Sequence, residues 1–219
     1  MFLWRARVET FNPDDQVAWL KSWWKQYGKS LLAGVIIGLL LLAGLNYWKQ
    51  SRTQRAETAA LLYENMLSEL QQGKAEALLA SATRLMQDYS GTPYAGKAAL
   101  LAARSRFDAG DLAGARQHLD WAVKHAEETA VQHSARVRLG RLMLEQGETD
   151  AALSLIAVKD QGGFDSEYEE LRGDLLLAKG DRNGARQAYR HALDKLPRNS
   201  AYAPLLTLKL ENLGPEAKP

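Results

Sequence analysis

Two patterns of apolar residues divide this chain of 219 residues. From Leu31 to Leu45 no charge interrupts an apolar run, whereas from about Arg52 onward apolar positions recur with the 3.6-residue period of amphipathic helices. Extended through Asn46, Tyr47 and Trp48, the run makes a helix of roughly 27 Å at the α-helical rise, close to the ~30 Å of a bilayer's hydrocarbon core. Lys29 and Lys49 bracket it, with Trp23, Trp24 and Tyr27 on one side and Tyr47 and Trp48 on the other. Amphipathic rings of this kind anchor at headgroup level, and a helix buried in a soluble core needs no such belts. The pattern therefore predicts a transmembrane helix over residues 30–48. A cleaved signal peptide fits less well, because the run starts late and no A-x-A site follows it.

Within this segment Gly34 and Gly38 form G-x-x-x-G, a spacing that lets helix backbones approach closely in a membrane. Glycine is also simply common in membrane helices, so packing and composition explain the pair equally well. Orientation is nearly undetermined by charge. Lys21, Lys25 and Lys29 on one flank match Lys49, Arg52 and Arg55 on the other, and only Arg5 and Arg7 tip the count towards an inside N-terminus. Residues 1–29 read as a tail carrying a short amphipathic helix. It starts at Asn12-Pro13-Asp14-Asp15 and repeats Val17, Leu20, Trp24 and Tyr27 on one face. The alternative is that these are the first turns of the spanning helix.

Residues 49–219 read as an array of helix pairs. Gly73-Lys74, Gly110-Asp111, Gly147-Glu148 and Gly180-Asp181 each separate two helical stretches, and the last three glycines are 37 and 33 residues apart. A period of about 34 residues marks stacked helix–turn–helix units. Glycine supplies the left-handed residue that ends the first helix, and the following acid starts the second. The clearest unit runs from Ser166 to Pro197 and closely resembles the tetratricopeptide repeat: Gly173, then Gly180-Asp181, Ala185, Tyr189, Ala192 and Pro197. In that likeness Gly173 and Ala185 are the small residues where the paired helices cross, while Tyr189 and Ala192 face the next unit. Glu169 stands where the pattern expects a large residue. Residues 96–126 and 133–158 match less fully, the latter with a short second helix. Residues 56–89 form an atypical first pair, and residues 200–212 a terminal capping helix, as such arrays require. The expected fold is all-α: one N-terminal transmembrane helix followed by a tetratricopeptide-like helical-repeat (α-solenoid) domain.

Composition narrows function mainly by exclusion. The absence of cysteine rules out a disulfide framework and a thiolate zinc site. A net charge of +2, with bases dispersed among acids, argues against nucleic acid. His118, His125, His133 and His191 show no metal-ligand spacing and read as surface residues. Gly162-Gly163 reads as a connector, and Glu167 to Glu170 as a solvated face. No nucleophile–base pairing or phosphate loop appears, so neither an enzyme nor a cofactor is expected. The expected functional surface is the concave face built by the first helix of each pair. Register places Lys97, Arg104, Ser134, Arg141, Glu167 and Asp174 there. Arg104 and Arg141 form a basic end suited to carboxylates, unless these are ordinary exposed charges.

The order of features also resembles a known family. Asp14-Asp15-Gln16-Val17 leads through Trp23-Trp24-Lys25 and Tyr27-Gly28-Lys29 into a span ending Asn46-Tyr47-Trp48. An alanine-rich helix from Arg55 to Leu70 follows, and then the repeats, with Leu171-Arg172-Gly173 and Gly180-Asp181-Arg182-Asn183-Gly184-Ala185-Arg186 the most family-like stretches. Over about residues 12–212 this is similar to the ancillary subunits of the bacterial SecYEG translocon, the YfgM family; residues 1–11 match nothing recognisable. The resemblance implies a bacterial inner-membrane protein with a cytoplasmic N-terminus and a periplasmic repeat domain. It implies as partners the SecYEG translocon, a membrane-anchored periplasmic chaperone of the prolyl-isomerase type and exported client chains, beside the lipid bilayer itself. A regulatory contact of the N-terminal tail in the cytoplasm is also attributed to the family. A helical-repeat adaptor for cell-envelope assembly or division is the competing expectation.

Overall fold

The structure, a computed structural model, describes residues 13–214. Arg5, Arg7 and Asn12 lie outside the described residues. The described residues form helices α1 (Pro13–Gln71), α2 (Ala75–Asp88), α3 (Pro93–Asp108), α4 (Leu112–His125) and α5 (Thr129–Glu145). These are followed by α6 (Thr149–Ile156), α7 (Asp165–Ala178), α8 (Arg182–Lys195) and α9 (Ala203–Glu211). Compact packing divides the chain within α1, between Thr53 and Gln54.

In the first unit α1 carries one stretch long and apolar enough to cross a membrane. Its helix is unbroken at residues 29–30 and 48–49. The side chains from Leu39 to Leu42 are exposed on every side, as expected of a helix whose apolar surface is meant for lipid rather than for a protein core. Among the described residues nothing outside the helix's own backbone lies within 4 Å of a Cβ placed on Gly34 or Gly38.

In the second unit four helix pairs repeat one register. Each turns at a glycine with positive φ, +78° at Gly110 and +84° at Gly180, a conformation a Cβ would penalise. Asp111 and Asp181 cap the next helix by accepting from the N–H groups of Gly114 and Gly184, both at 2.8 Å. Counted from the turn glycine, the same positions are buried in successive pairs: Met66, Leu78, Ala82 and Leu85 in the first, Ala103, Ala115, Leu119 and Ala122 in the second, and Gly173, Ala185, Tyr189 and Ala192 in the last. The third has Gly140, Ala152 and Ile156, and α6 then stops.

Small residues sit where helices cross. A Cβ on Gly140 would run into Leu171 of the following pair, and one on Gly173 would run into the ring of Tyr189. Tyr189 therefore packs inward on its own pair, and it also meets Leu213 beyond α9. Its partner across the next interface is the terminal helix expected from the sequence. Arg116 bridges consecutive helix pairs by a two-pronged contact from α4 to Glu148, at 2.7 and 2.9 Å. Arg186, at the same register position two pairs later, is buried and donates instead to the carbonyl of Gly214 at 2.6 Å.

Candidate functional site

The six residues assigned to the concave face separate into three environments. Lys97 pairs with Glu128 at 2.9 Å. The hydrogen bond that the ammonium donates to that carboxylate holds it above its ordinary pKa, against desolvation by burial. Ser134 and Glu167 are half-buried and do not line the groove that holds Arg104 and Arg141. Arg104 and Arg141 do come together, at a groove between α3 and α5 floored by α4. Asp174 belongs to a separate polar cluster beneath α9.

The groove has a volume of about 560 Å³. Its walls and floor are apolar, from Leu100, Leu101 and Phe107 on α3, Leu119 on α4 and Leu142 on α5. Three guanidinium groups edge it: Arg104, Arg138 and Arg141, with Glu145 the acid among the lining residues. Arg104 is paired with Asp108 at 2.8 Å and Arg141 with Glu170 at 3.0 Å. Arg138 has no acidic side chain within ion-pair distance among the described residues. Partial burial, followed by repulsion from Arg141 and Arg104, pushes its pKa below the ordinary guanidinium value.

Arg138 was missed by register alone, although it stands one helical turn before Arg141 and so shares its face.

The second cluster centres on Glu170, which is 2% exposed and so corrects the expectation of a solvated acidic run. Its carboxylate accepts from Arg141 at 3.0 Å, from the Tyr202 hydroxyl at 3.0 Å and from Lys209 at 2.7 Å. Lys209 also donates to Asp174 at 2.8 Å, and the Tyr189 hydroxyl donates to the same carboxylate at 2.7 Å. Desolvation would lower the Lys209 pKa, but the hydrogen bonds to Asp174 and Glu170 outweigh it and raise it. Burial, the Asp174 hydrogen bond and the acids nearby raise the Tyr189 hydroxyl well above its usual value. This cluster fastens the terminal helix; its charges are matched internally.

One histidine also departs from the surface expectation. His133 is buried, stacks on Phe164 at 5.7 Å and shares a 2.8 Å hydrogen bond with the Tyr168 hydroxyl. The Gly162-Gly163 connector wraps it, since a Cβ on Gly162 would strike the imidazole. Its role is packing between pairs. Among the described residues no three potential metal ligands cluster together.

Comparison with known proteins places this geometry in a family. A family profile described as a tetratricopeptide repeat-like domain matches residues 21–215. The protein described as ancillary SecYEG translocon subunit from Escherichia coli (strain K12) is 29% identical over 202 residues, covering 92% of this chain and 97% of that protein. Its namesake from Neisseria gonorrhoeae is 30% identical over 194 residues, covering 88% and 93%. The one from Haemophilus influenzae is 26% identical, covering 84% and 89%. Among solved structures, the one described as MamA RS-1 ArsTM double mutant superposes with a TM-score of 0.51 at 17% identity, over 71% of this chain and 86% of that one. That last likeness concerns the fold alone.

Proposed function

Because this chain belongs to the tetratricopeptide repeat-like family of ancillary SecYEG translocon subunits, we propose that it is a membrane-tethered scaffold of the bacterial Sec translocon, linking it to periplasmic chaperones during export. In this proposal α1 crosses the inner membrane with the N-terminus in the cytoplasm, and the repeat domain stands in the periplasm. The observation that carries it is the near end-to-end match to relatives bearing that name, which takes in the apolar helix as well as the repeats.

The physical role is tethering. A membrane helix holds the repeat domain near the exit of the channel, and an attached binding surface acts at a raised effective concentration without strong contacts of its own. The exposed apolar side chains of α1 and the backbone left open at Gly34 and Gly38 supply a docking face within the bilayer. The proposed partners are the SecYEG translocon, a membrane-anchored chaperone of the prolyl-isomerase type and exported client chains. The scaffold performs no chemistry in this account.

Deleting Leu31 to Leu45 tests the proposal. Co-purification with the translocon is expected to be lost, and undiminished co-purification of the shortened chain contradicts a contact made in the membrane. Crosslinks in the native membrane to peptidoglycan-synthesis proteins alone would favour an envelope-assembly adaptor instead.

A further inference from the structure

Along α1 one apolar stripe begins well before the membrane run. From Val17 it advances in alternating steps of three and four residues through Leu20, Trp24 and Tyr27, enters the run at Leu31 and ends at Trp48. Such a seven-residue repeat keeps one seam on one side of a helix and winds two such helices around each other left-handedly. Inside the run every neighbour is apolar too, so the spacing there distinguishes nothing. Before the run it does, because Lys21, Lys25 and Lys29 all fall off the seam. The next position in the series is Arg52, whose guanidinium lies over the Trp48 ring at 4.9 Å.

Lipid covers only part of this seam. Val17 to Trp48 is unbroken helix, roughly 46 Å long at the helical rise, against a hydrocarbon core of ~30 Å. Val17 and Leu20 lie about 21 and 16 Å ahead of Leu31, past a headgroup layer of about 6 Å. Yet Val17, Leu20, Trp24 and Tyr27 are between 49% and 56% exposed. An aromatic belt accounts for Trp24 and Tyr27, but not for two aliphatic side chains beyond the headgroups on the same stripe.

A second copy of the chain fits this face. Copies inserted in one membrane share an orientation, so their helices run parallel and each seam position meets its own counterpart. No charged residue stands at any of these positions. On the flanks of a parallel pair each residue meets the one five places along in the other helix. Trp23 then meets Gly28, Ser30 meets Val35 and Gly44 meets Lys49. No lysine faces a lysine, and Lys25 and Lys29 stand on the outer side. Gly34 and Gly38, themselves on the seam, give room for close approach at its middle.

We infer that two copies of this chain pair through α1, in parallel, along the seam from Val17 to Trp48. This is the face that the proposed function gives to the translocon, so self-pairing and docking exclude each other. The paired form is then a reserve from which docking draws, a step that rests on the scaffold proposal.

The chain has no cysteine, so a single introduced one reports its own neighbour. The full chain is reconstituted in lipid vesicles without translocon and mildly oxidised, carrying Leu20→Cys on the seam or Ser22→Cys off it at nearly the same depth. Leu20→Cys is expected to give disulfide-linked dimer in at least about fivefold the yield of Ser22→Cys, and to hold that yield as the lipid-to-protein ratio is raised. In the Leu20→Cys chain, Trp24→Glu places two like charges in the seam and is expected to cut the yield at least about fivefold, whereas Trp19→Glu, an equal change off the seam, leaves it within about twofold. Circular dichroism and vesicle flotation check that each variant is folded and inserted, and Trp24→Gln gives the same direction where the acid hinders insertion. Equal yields from the two cysteines, a Leu20→Cys yield that falls in step with dilution, or equal losses from the two acids would overturn the inference and leave the seam to a helix of another protein. Purified translocon added before oxidation is expected to lower the Leu20→Cys dimer at least about twofold. An undiminished dimer in vesicles where the chain co-purifies with the translocon would overturn the exclusion. Loss of co-purification counts against the scaffold proposal alone, because self-pairing is read with the translocon absent.

Discussion

The imidazole of His133, on α5, and the hydroxyl of Tyr168, on α7, share a 2.8 Å hydrogen bond across the boundary between two helix pairs. Burial lowers the His133 pKa from its ordinary value, and the positive charge of Arg136 lowers it further, against a smaller opposing effect of Asp160. The folded protein therefore binds fewer protons than the unfolded chain in the window beneath the ordinary histidine pKa of about 6.5. Stability is full above that value and falls with pH through the lowered folded value. The thermal midpoint of the full chain in detergent should drop between about pH 7.5 and pH 5. His133→Gln should drop less, and keep some dependence because burial lowers His118 too. Identical slopes for the two proteins would sink this assignment.

Crowding at Gly173 gives a second expectation. The Tyr189 ring occupies the space where a side chain at position 173 would begin. Gly173→Val should cost about 1–3 kcal/mol by overpacking, read as a lowered denaturation midpoint by circular dichroism. An unchanged midpoint would mean that the ring moves aside freely.

The terminal helix offers a local readout. Lys209→Met removes the cation shared by buried Glu170 and by Asp174. Arg141 and Tyr202 still serve Glu170 and Lys209 is partly exposed, so the loss should be about 2 kcal/mol rather than the full value for a broken buried pair. Hydrogen exchange should accelerate in Ala203–Glu211 before it does in α3 or α5. Uniform acceleration would show instead that α9 unfolds only with the whole domain.

Helix capping predicts a gain as well as a loss. Asp181→Ala should cost about 1 kcal/mol through the bond to Gly184. Lys74 occupies the same position before α2 with φ −85° and ψ 73°, against −81° and 79° at Asp181, yet makes no cap. Lys74→Asp should therefore stabilise by up to about 1 kcal/mol. A denaturation midpoint that falls for this variant would contradict the shared geometry.

The repeats were legible because helix termination is local: a glycine able to take positive φ, followed by an acid, announces itself within a few residues. The apolar span was equally local. Glu170 and His133 were not, because α9 buries the first and the 157–164 connector covers the second. A signal for both lay in comparing registers. Glu170 stands where the two preceding pairs carry Leu100 and Val137, and His133 where the pairs on either side carry Gly96 and Ser166. A polar group at a position that is apolar or small in its sister units is a candidate for burial rather than for solvent. The same helical arithmetic placed Arg104 and Arg141 on one face, while Arg138 escaped because that register takes only two positions, seven residues apart, from each first helix.

Photocrosslinking within the bilayer tests the scaffold account most directly. Leu41 lies on the same face of α1 as Gly34 and Gly38, and Ile36 on the opposite one. With a photoreactive residue at each position in turn, in native membranes, the account predicts adducts with translocon subunits from position 41 and mainly lipid adducts from position 36. Adducts with no translocon subunit from either position, in cells where the protein is inserted and folded, would contradict it.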